Sequence, residues 1–461
     1  MTKERENLTS RLGFVLVSAG CAIGLGNIWR FPFIVGKYGG CIFVLLYLLF
    51  LLLMGFPVLM MEMAIGRGSH CNLIQGLPKL ASKGKRFWCA MGTIASLGCL
   101  LLMMYYTTVT GWLLSYTSDY ITGSIAQGAA EGSNYGDFFV NLISDPKASG
   151  IGMFLACAVG GTVCSLGLKN GVESFVKYMM ALLLILMGIL AVRVLFLPNA
   201  MEGLKFYLLP NWQNFIENPY ETIFAAMGQA FFTLSIGVGS MEIFGSYLPW
   251  KKSLAKECAW IIMLDTFVAL AAGLIIFPVC ASNGVDVSAG PGLIFISLPN
   301  VFTQIPGGCF WGFLFFAFLS LAALTTVIAV FENLLALLID IFHWKRIVAG
   351  LFVGVVVASL SMPCVLGFNL WSDFQPLGAG TGVLDLEDFI VSQNLLPLGG
   401  LVMVLFCFLK FGWGRKNFLA EIHEGQLWKF NSFFVFYCQY LLPIILLAVF
   451  VMGYLQIFTK N

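Results

Sequence analysis

Two short runs hold the residues most able to do chemistry in this chain. They are Gly20–Cys21–Ala22–Ile23–Gly24–Leu25–Gly26–Asn27 and Ser235–Ile236–Gly237–Val238–Gly239–Ser240. Each lies inside an apolar segment long enough to cross a bilayer. Glycine weakens a helix, and an open peptide group in hydrocarbon costs several kcal/mol when nothing bonds it. A glycine-rich break at membrane depth is therefore tolerated only where it lines a cavity or grips a ligand. The chemistry on offer is non-covalent: bare carbonyls for a cation, bare N–H groups for an anion. Two such breaks about half a chain apart point to the binding site of a secondary transporter.

The elements that position these runs follow from composition. Of 461 residues, 59% are hydrophobic and 10% charged, against roughly 45–50% and 25% in soluble domains. The chain reads as an all-α integral membrane protein, with the lipid bilayer as its surroundings. A net charge of +2 suggests no nucleic-acid partner. The 13 cysteines fall singly, mostly in apolar segments, so neither a disulfide framework nor a zinc site is indicated. The polar N-terminus runs straight into a span too long for a signal core, and no cleavable leader is expected.

At about 20 apolar residues per crossing, some eleven spans are predicted: 12–35, 41–66, 88–118, 150–168, 172–197, 221–248, 255–281, 309–341, 346–366, 389–412 and 432–457. One set of loops is basic, with Lys3, Arg5, Arg11, Arg67, Lys79, Lys83, Lys85, Arg86, Lys169, Lys251, Lys252, Lys256, Lys345, Arg346, Lys410, Arg415, Lys416 and Lys429. The other set is acidic, with Asp119, Glu131, Asp137, Asp145, Asp286, Asp373, Asp385 and Glu387. Basic loops stay in the cytoplasm, so the N-terminus is expected inside and the C-terminus outside a plasma membrane. Residues 285–303, on the acidic side, hold an apolar stretch too short to span. It reads as a lid dipping toward the site, with an ordinary surface loop as the alternative. The polar loop 120–148 suggests variable shape.

Several stretches carry a family likeness over essentially the whole chain. They are Arg11–Leu12–Gly13, Gly24–Leu25–Gly26–Asn27–Ile28–Trp29–Arg30–Phe31–Pro32, Glu62 with Gly66–Arg67, Tyr105–Tyr106, Gly228–Gln229–Ala230–Phe231–Phe232–Thr233–Leu234–Ser235, and Leu324–Thr325–Thr326. In these the chain resembles the neurotransmitter:sodium symporters, specifically the bacterial eleven-span branch with its leucine and hydrophobic amino-acid carriers. The resemblance implies a 5+5 inverted repeat with discontinuous spans one and six, working by alternating access. The segments would be 1–11 (cytoplasmic), 12–200 (first repeat), 201–412 (second repeat, with the lid) and 413–461 (span eleven).

Sodium, a small hard cation, wants about five or six oxygens. The resemblance implies two sodium sites. One takes the Ala22 carbonyl, Asn27, Thr233 and Asp265, together with the substrate's carboxylate. The other takes the carbonyls of Gly20, Ile23 and Ala322 and the hydroxyls of Thr325 and Thr326. Adjacent threonines in a span can instead bond back to their own helix. Eukaryotic members carry Asn at the position of Asp265 and a serine one turn on, where this chain has Ala269, and they hold chloride nearby. Tyr47, Gln229 and Thr233, the other implied chloride contacts, are present. A fixed carboxylate supplies the charge that chloride would bring, so chloride is not expected as a cofactor. Asp265 could also carry a proton on the return step.

The implied substrate is an amino acid. Its carboxylate meets the Leu25 and Gly26 amides, the first sodium and the Tyr106 hydroxyl, since helix N-terminal amides attract anions. Its ammonium meets the Ala22, Phe232 and Thr233 carbonyls and the Ser235 hydroxyl. Monoamine carriers place an aspartate at Gly24; here that space is empty, which favours a substrate bringing its own carboxylate. Cys21, Leu102, Phe232, Val238, Thr326 and Val330 form the side-chain pocket. It is apolar, and an unpaired charge there is costly. A leucine-selective relative has phenylalanine at Val238, so this pocket reads as able to take larger, even aromatic, side chains.

Arg30, within the outer half of span one, needs a partner or a route to the headgroups. Asp388 is the expected partner, forming the outer gate with Tyr106 and Phe232 as the inner lid. Arg5 and Asp340, with Tyr247 nearby, are the matching inner gate, and Leu8 replaces the family's N-terminal tryptophan. Glu62 is expected to hydrogen-bond the unwound backbone of spans one and six; Glu242 and Glu332 have no assigned role. No enzyme is expected, because the three histidines lie in or near basic loops without a nucleophile pairing. The rival functions are a carrier of a small polar amino acid or another zwitterion, and a non-transporting amino-acid sensor.

Overall fold

The computed structural model describes residues 8, 10–125, 135–284, 292–304, 306–425 and 429–458. Arg5, Asp286 and most of the loop around Glu131 lie outside the described residues. Among those described, every extended element is a helix, and the sole strand-like feature is an isolated bridge between Gly40 and Pro210.

Among the described residues, nine helices are long and apolar enough to cross a membrane: Cys41–Ser69, Lys85–Thr122, Pro146–Ser165, Leu168–Val194, Leu254–Ser282, Gly308–Phe342, Arg346–Leu366, Val383–Phe408 and Ser432–Leu455. Arg11–Ala22 and Gly26–Lys37 form a tenth crossing, bent by 58°. Pro219–Thr233 and Glu242–Ser246 flank a turn-rich segment within the predicted span 221–248. The segments are numbered below in chain order, so that the bent crossing 11–37 is span one and 219–246 is span six. Ten of the eleven predicted spans meet the length and apolarity of a crossing; span six, interrupted at its middle, does not meet them as one helix. Boundaries shift where polar residues prolong a helix: span three runs from Lys85 to Thr122, and span ten starts at Val383 rather than 389.

The sequence places both breaks correctly, and local chemistry explains them. Span one begins on Ser10, whose hydroxyl accepts the Gly13 N–H at 2.9 Å, an N-cap that satisfies one orphan donor. Ile23 then turns extended, with φ −70° and ψ 100°. In span six, Ser235, Gly237 and Gly239 have φ of 50°, 100° and 82°, a left-handed region that glycine enters freely. Glu62 of span two holds this open backbone, accepting N–H bonds from Gly237 at 2.7 Å and Met241 at 2.9 Å. The expected contact to span one is absent: both Glu62 oxygens are used by span six.

The shorter apolar helix Leu293–Phe302 belongs to the predicted lid, whose residues 285–291 lie outside the described set. Its Phe295 is fully buried. The ring stacks on Phe139 at 4.9 Å and meets Trp29 edge-on at 6.1 Å, and the Phe295 carbonyl accepts the Tyr116 hydroxyl at 2.6 Å. This segment is thus a docked plug rather than a surface loop.

Candidate functional site

The two breaks face one another across a small cavity. Its walls are Ala22, Gly24 and Gly26 from the first break, Leu102 and Tyr106 from span three, Phe232 and Ser235 from span six, Thr326 from span eight, and Leu396 from span ten. Eight of these nine were legible in the sequence; Leu396 was not. The Leu25 N–H donates to the Tyr106 hydroxyl at 3.1 Å, which puts that hydroxyl at the amides expected to receive a carboxylate. Gly24 has no room for a side chain: a methyl there would collide with the Tyr106 and Thr326 hydroxyls. Cys21, Val238 and Val330 are fully buried but are not walls of this cavity. Val238 packs instead against Gly98, and its carbonyl accepts the Cys99 thiol at 3.2 Å. The pocket size therefore does not follow from Val238 alone.

On one side of the break, Asp265 is completely buried. One carboxylate oxygen accepts the Asn27 amide at 2.7 Å, and the other accepts the Thr233 hydroxyl at 2.9 Å. Asn27 in turn accepts the Gly24 N–H at 3.2 Å. Asp265 forms no ion pair among the described residues. An anionic oxygen, an amide oxygen and a hydroxyl gathered around open backbone suit a hard cation, which would supply the missing charge. Next to this group, the Tyr47 and Thr266 hydroxyls and the Gln229 side chain are buried, and the Gln229 amide oxygen has no hydrogen-bond partner. Ala269, one turn beyond Asp265, offers none.

On the other side, three carbonyls converge on Thr326. Its hydroxyl lies 3.3 Å from the Gly20 oxygen, 3.2 Å from Ile23 and 3.4 Å from Ala322. Thr325 donates back to Ala322 at 2.8 Å, so the back-bonding alternative holds for that residue in this state. One hydroxyl proton serves one carbonyl at a time. The remaining oxygens form a second cluster fit for a cation.

The gates differ from expectation. Arg30 and Asp388 form no ion pair. The Arg30 guanidinium sits 4.0 Å over the Phe232 ring, a cation–π contact, and one of its nitrogens is buried without a partner. Asp388 accepts the Tyr105 hydroxyl at 3.1 Å and the Ser392 hydroxyl at 2.6 Å. Two hydroxyls satisfy the carboxylate, so the arginine is left to the ring. A second cavity opens beside Arg30, lined by Arg30, Phe224, Ser392 and Gln393 among others.

At the opposite, basic face, Arg5 is outside the described residues. Asp340 accepts the Asn72 backbone N–H at 2.9 Å and its side-chain amide at 3.1 Å. Tyr247 donates to Glu332 at 2.9 Å. Glu332 also pairs with Arg346, whose Nε donates to the Cys164 carbonyl at 2.8 Å. This gives the previously unassigned Glu332 a role: it ties span eight to the ends of spans six and nine. Glu242 is fully buried and lies against Gly76. Arg67 departs furthest from its reading as a loop charge. It is wholly buried, with Nε 2.6 Å from Glu421 and one terminal nitrogen donating to the Lys252 carbonyl at 2.8 Å.

Two interrupted spans around a cavity, with hard-oxygen clusters beside it, match the arrangement of a multi-pass secondary transporter. The comparisons agree. Residues 5–135 and 140–461 match the sodium:neurotransmitter symporter family. An uncharacterized sodium-dependent transporter of Bacillus subtilis, YhdH, is 35% identical over 96% of this chain and 96% of its own. A sodium- and chloride-dependent taurine transporter of Bos taurus is 28% identical over 91% of this chain and 73% of its own. The crystal structure of MhsT in complex with L-phenylalanine matches with a TM-score of 0.85 and 34% identity, covering 97% of this chain and 100% of that one. The chain belongs to the sodium:neurotransmitter symporter family, a family of transporters rather than enzymes.

Proposed function

We propose that this protein is a sodium-coupled symporter that imports a hydrophobic L-amino acid, aromatic or branched, by alternating access and without chloride. The observation that carries the substrate class is the cavity wall. Leu102, Phe232 and Leu396 are apolar, and none of the nine walls bears a charge. Beside them stand the Leu25 and Gly26 amides and the Tyr106 hydroxyl, to which the Leu25 N–H donates at 3.1 Å, as the expected receivers of a carboxylate. A charged side chain would be buried unpaired in such a pocket. The likeness to MhsT, crystallised with L-phenylalanine, supports the same reading.

Two sodium ions are the coupling cargo in this proposal. Asn27, Thr233, Asp265 and the Ala22 carbonyl hold one; Thr325, Thr326 and the carbonyls of Gly20, Ile23 and Ala322 hold the other. The carboxylate of Asp265 replaces chloride. The basic face lies in the cytoplasm and the acidic face outside a plasma membrane, and the halves 12–200 and 201–412 act as inverted repeats. Arg30 and Asp388 close the outer path when they meet, and Arg5 and Asp340 close the inner one.

The test is competition. Purified protein in liposomes with an inward sodium gradient takes up labelled phenylalanine, and each of the twenty amino acids is added in excess. Leucine, phenylalanine, tryptophan and their like are expected to cut uptake by at least about tenfold, while aspartate and lysine leave it unchanged. Strongest competition by glycine, serine or alanine would replace the reading with a small-amino-acid carrier. Binding without accumulation would make the protein a sensor.

A further inference from the structure

Span ten enters the cavity because its helix is out of phase. Residues Phe389–Leu395 wind as a π-type turn, in which the Leu396 N–H reaches the Val391 carbonyl five residues back. One such turn inserts an extra residue and re-aims every later side chain. Pro397 follows at once and has no N–H to restore the ordinary pattern. The result is that Leu396, 3% exposed, becomes a cavity wall facing Phe232 and Leu102.

The backbone of Leu396 cannot draw away. Its carbonyl lies so close to Gly237 that a methyl on that glycine would collide with it. Gly399 is equally tight against the Gly237 carbonyl. Span ten and the break of span six are thus locked main chain to main chain, with the leucine side chain held at a fixed depth. Val238, the residue that the sequence singles out for size, is turned toward Gly98.

We infer that Leu396 is a specificity-determining residue, the wall that sets the largest substrate side chain the cavity admits. This rests on the amino-acid reading above. In a close-packed apolar pocket one methylene is worth about 10–200-fold in discrimination. Removing most of a leucine should therefore reorder preferences rather than merely weaken binding.

The experiment compares wild type, Leu396→Ala and Leu396→Phe in proteoliposomes, reading the ratio of tryptophan to leucine inhibition constants against a common labelled substrate. Leu396→Ala should shift the ratio toward tryptophan by about tenfold or more, and Leu396→Phe should shift it toward leucine. Should Leu396→Ala fail to fold, Leu396→Phe and Leu396→Met carry the comparison from the other side. A ratio within about twofold of wild type in every folded variant overturns the inference while the amino-acid reading stands. If the wild type itself accumulates no amino acid, it is the amino-acid reading that has failed.

Discussion

Asp265→Asn is expected to reduce sodium-driven uptake in chloride-free buffer by at least about 100-fold. The carboxylate is wholly buried and its hydrogen bonds come from neutral groups, Asn27 and Thr233. In the proposed cycle its counter-charge is sodium. Removing one partner of a buried charge pair costs about 3–5 kcal/mol, and each 1.4 kcal/mol is tenfold. The asparagine keeps the shape and loses the charge. Adding Ala269→Ser should then make uptake respond to chloride, because a new hydroxyl joins the buried Tyr47 and Thr266 hydroxyls beside the lost charge. Uptake by wild type and by the double variant is measured in chloride and in gluconate. Wild type should be indifferent and the double variant dependent. A wild type silenced by gluconate contradicts the assignment of Asp265.

Arg67→Met is expected to be among the most destabilising single changes at the basic face. The guanidinium is inaccessible, and it joins span two to the 415–423 helix through Glu421 and to the loop before span seven through the Lys252 carbonyl. Breaking a buried pair costs about 3–5 kcal/mol. The side chain of Glu421 is 14% exposed, so it keeps some hydration and the lower figure applies. Thermal unfolding in detergent should show a midpoint several degrees below wild type, partly recovered by Arg67→Met with Glu421→Met, since an apolar pair leaves no stranded charge. A midpoint unchanged from wild type would mean that the clasp carries no stability.

What the sequence made legible was local. The glycines that break spans one and six announce themselves by type, because few other residues take φ of 100° or 82°. Asn27, Thr233 and Asp265 were named by the family resemblance, as oxygen donors that suit a hard cation. What stayed hidden depends on long-range register. Leu396 is one leucine among many in span ten, and only the π-type turn before it decides where it points. Arg67 looked like a loop charge because its partner Glu421 lies 354 residues away. The Glu332–Arg346 pair joins two spans across a tight connection, 14 residues apart, and had only a basic loop as its signal. Arg30 and Asp388 were expected to pair, yet each has a different neighbour here, since hydroxyls and a ring compete for the same charges.

The central claim is that sodium drives amino-acid accumulation through the paired breaks. A membrane potential contributes about 2.3 kcal/mol per charge per 100 mV, so two ions moving down their gradient can concentrate a zwitterion steeply. Liposomes containing the purified protein are given labelled phenylalanine with sodium outside, then with sodium replaced by potassium or choline on both faces. The account predicts accumulation well above the external concentration in the first case and none in the second. Equal accumulation in both would contradict it.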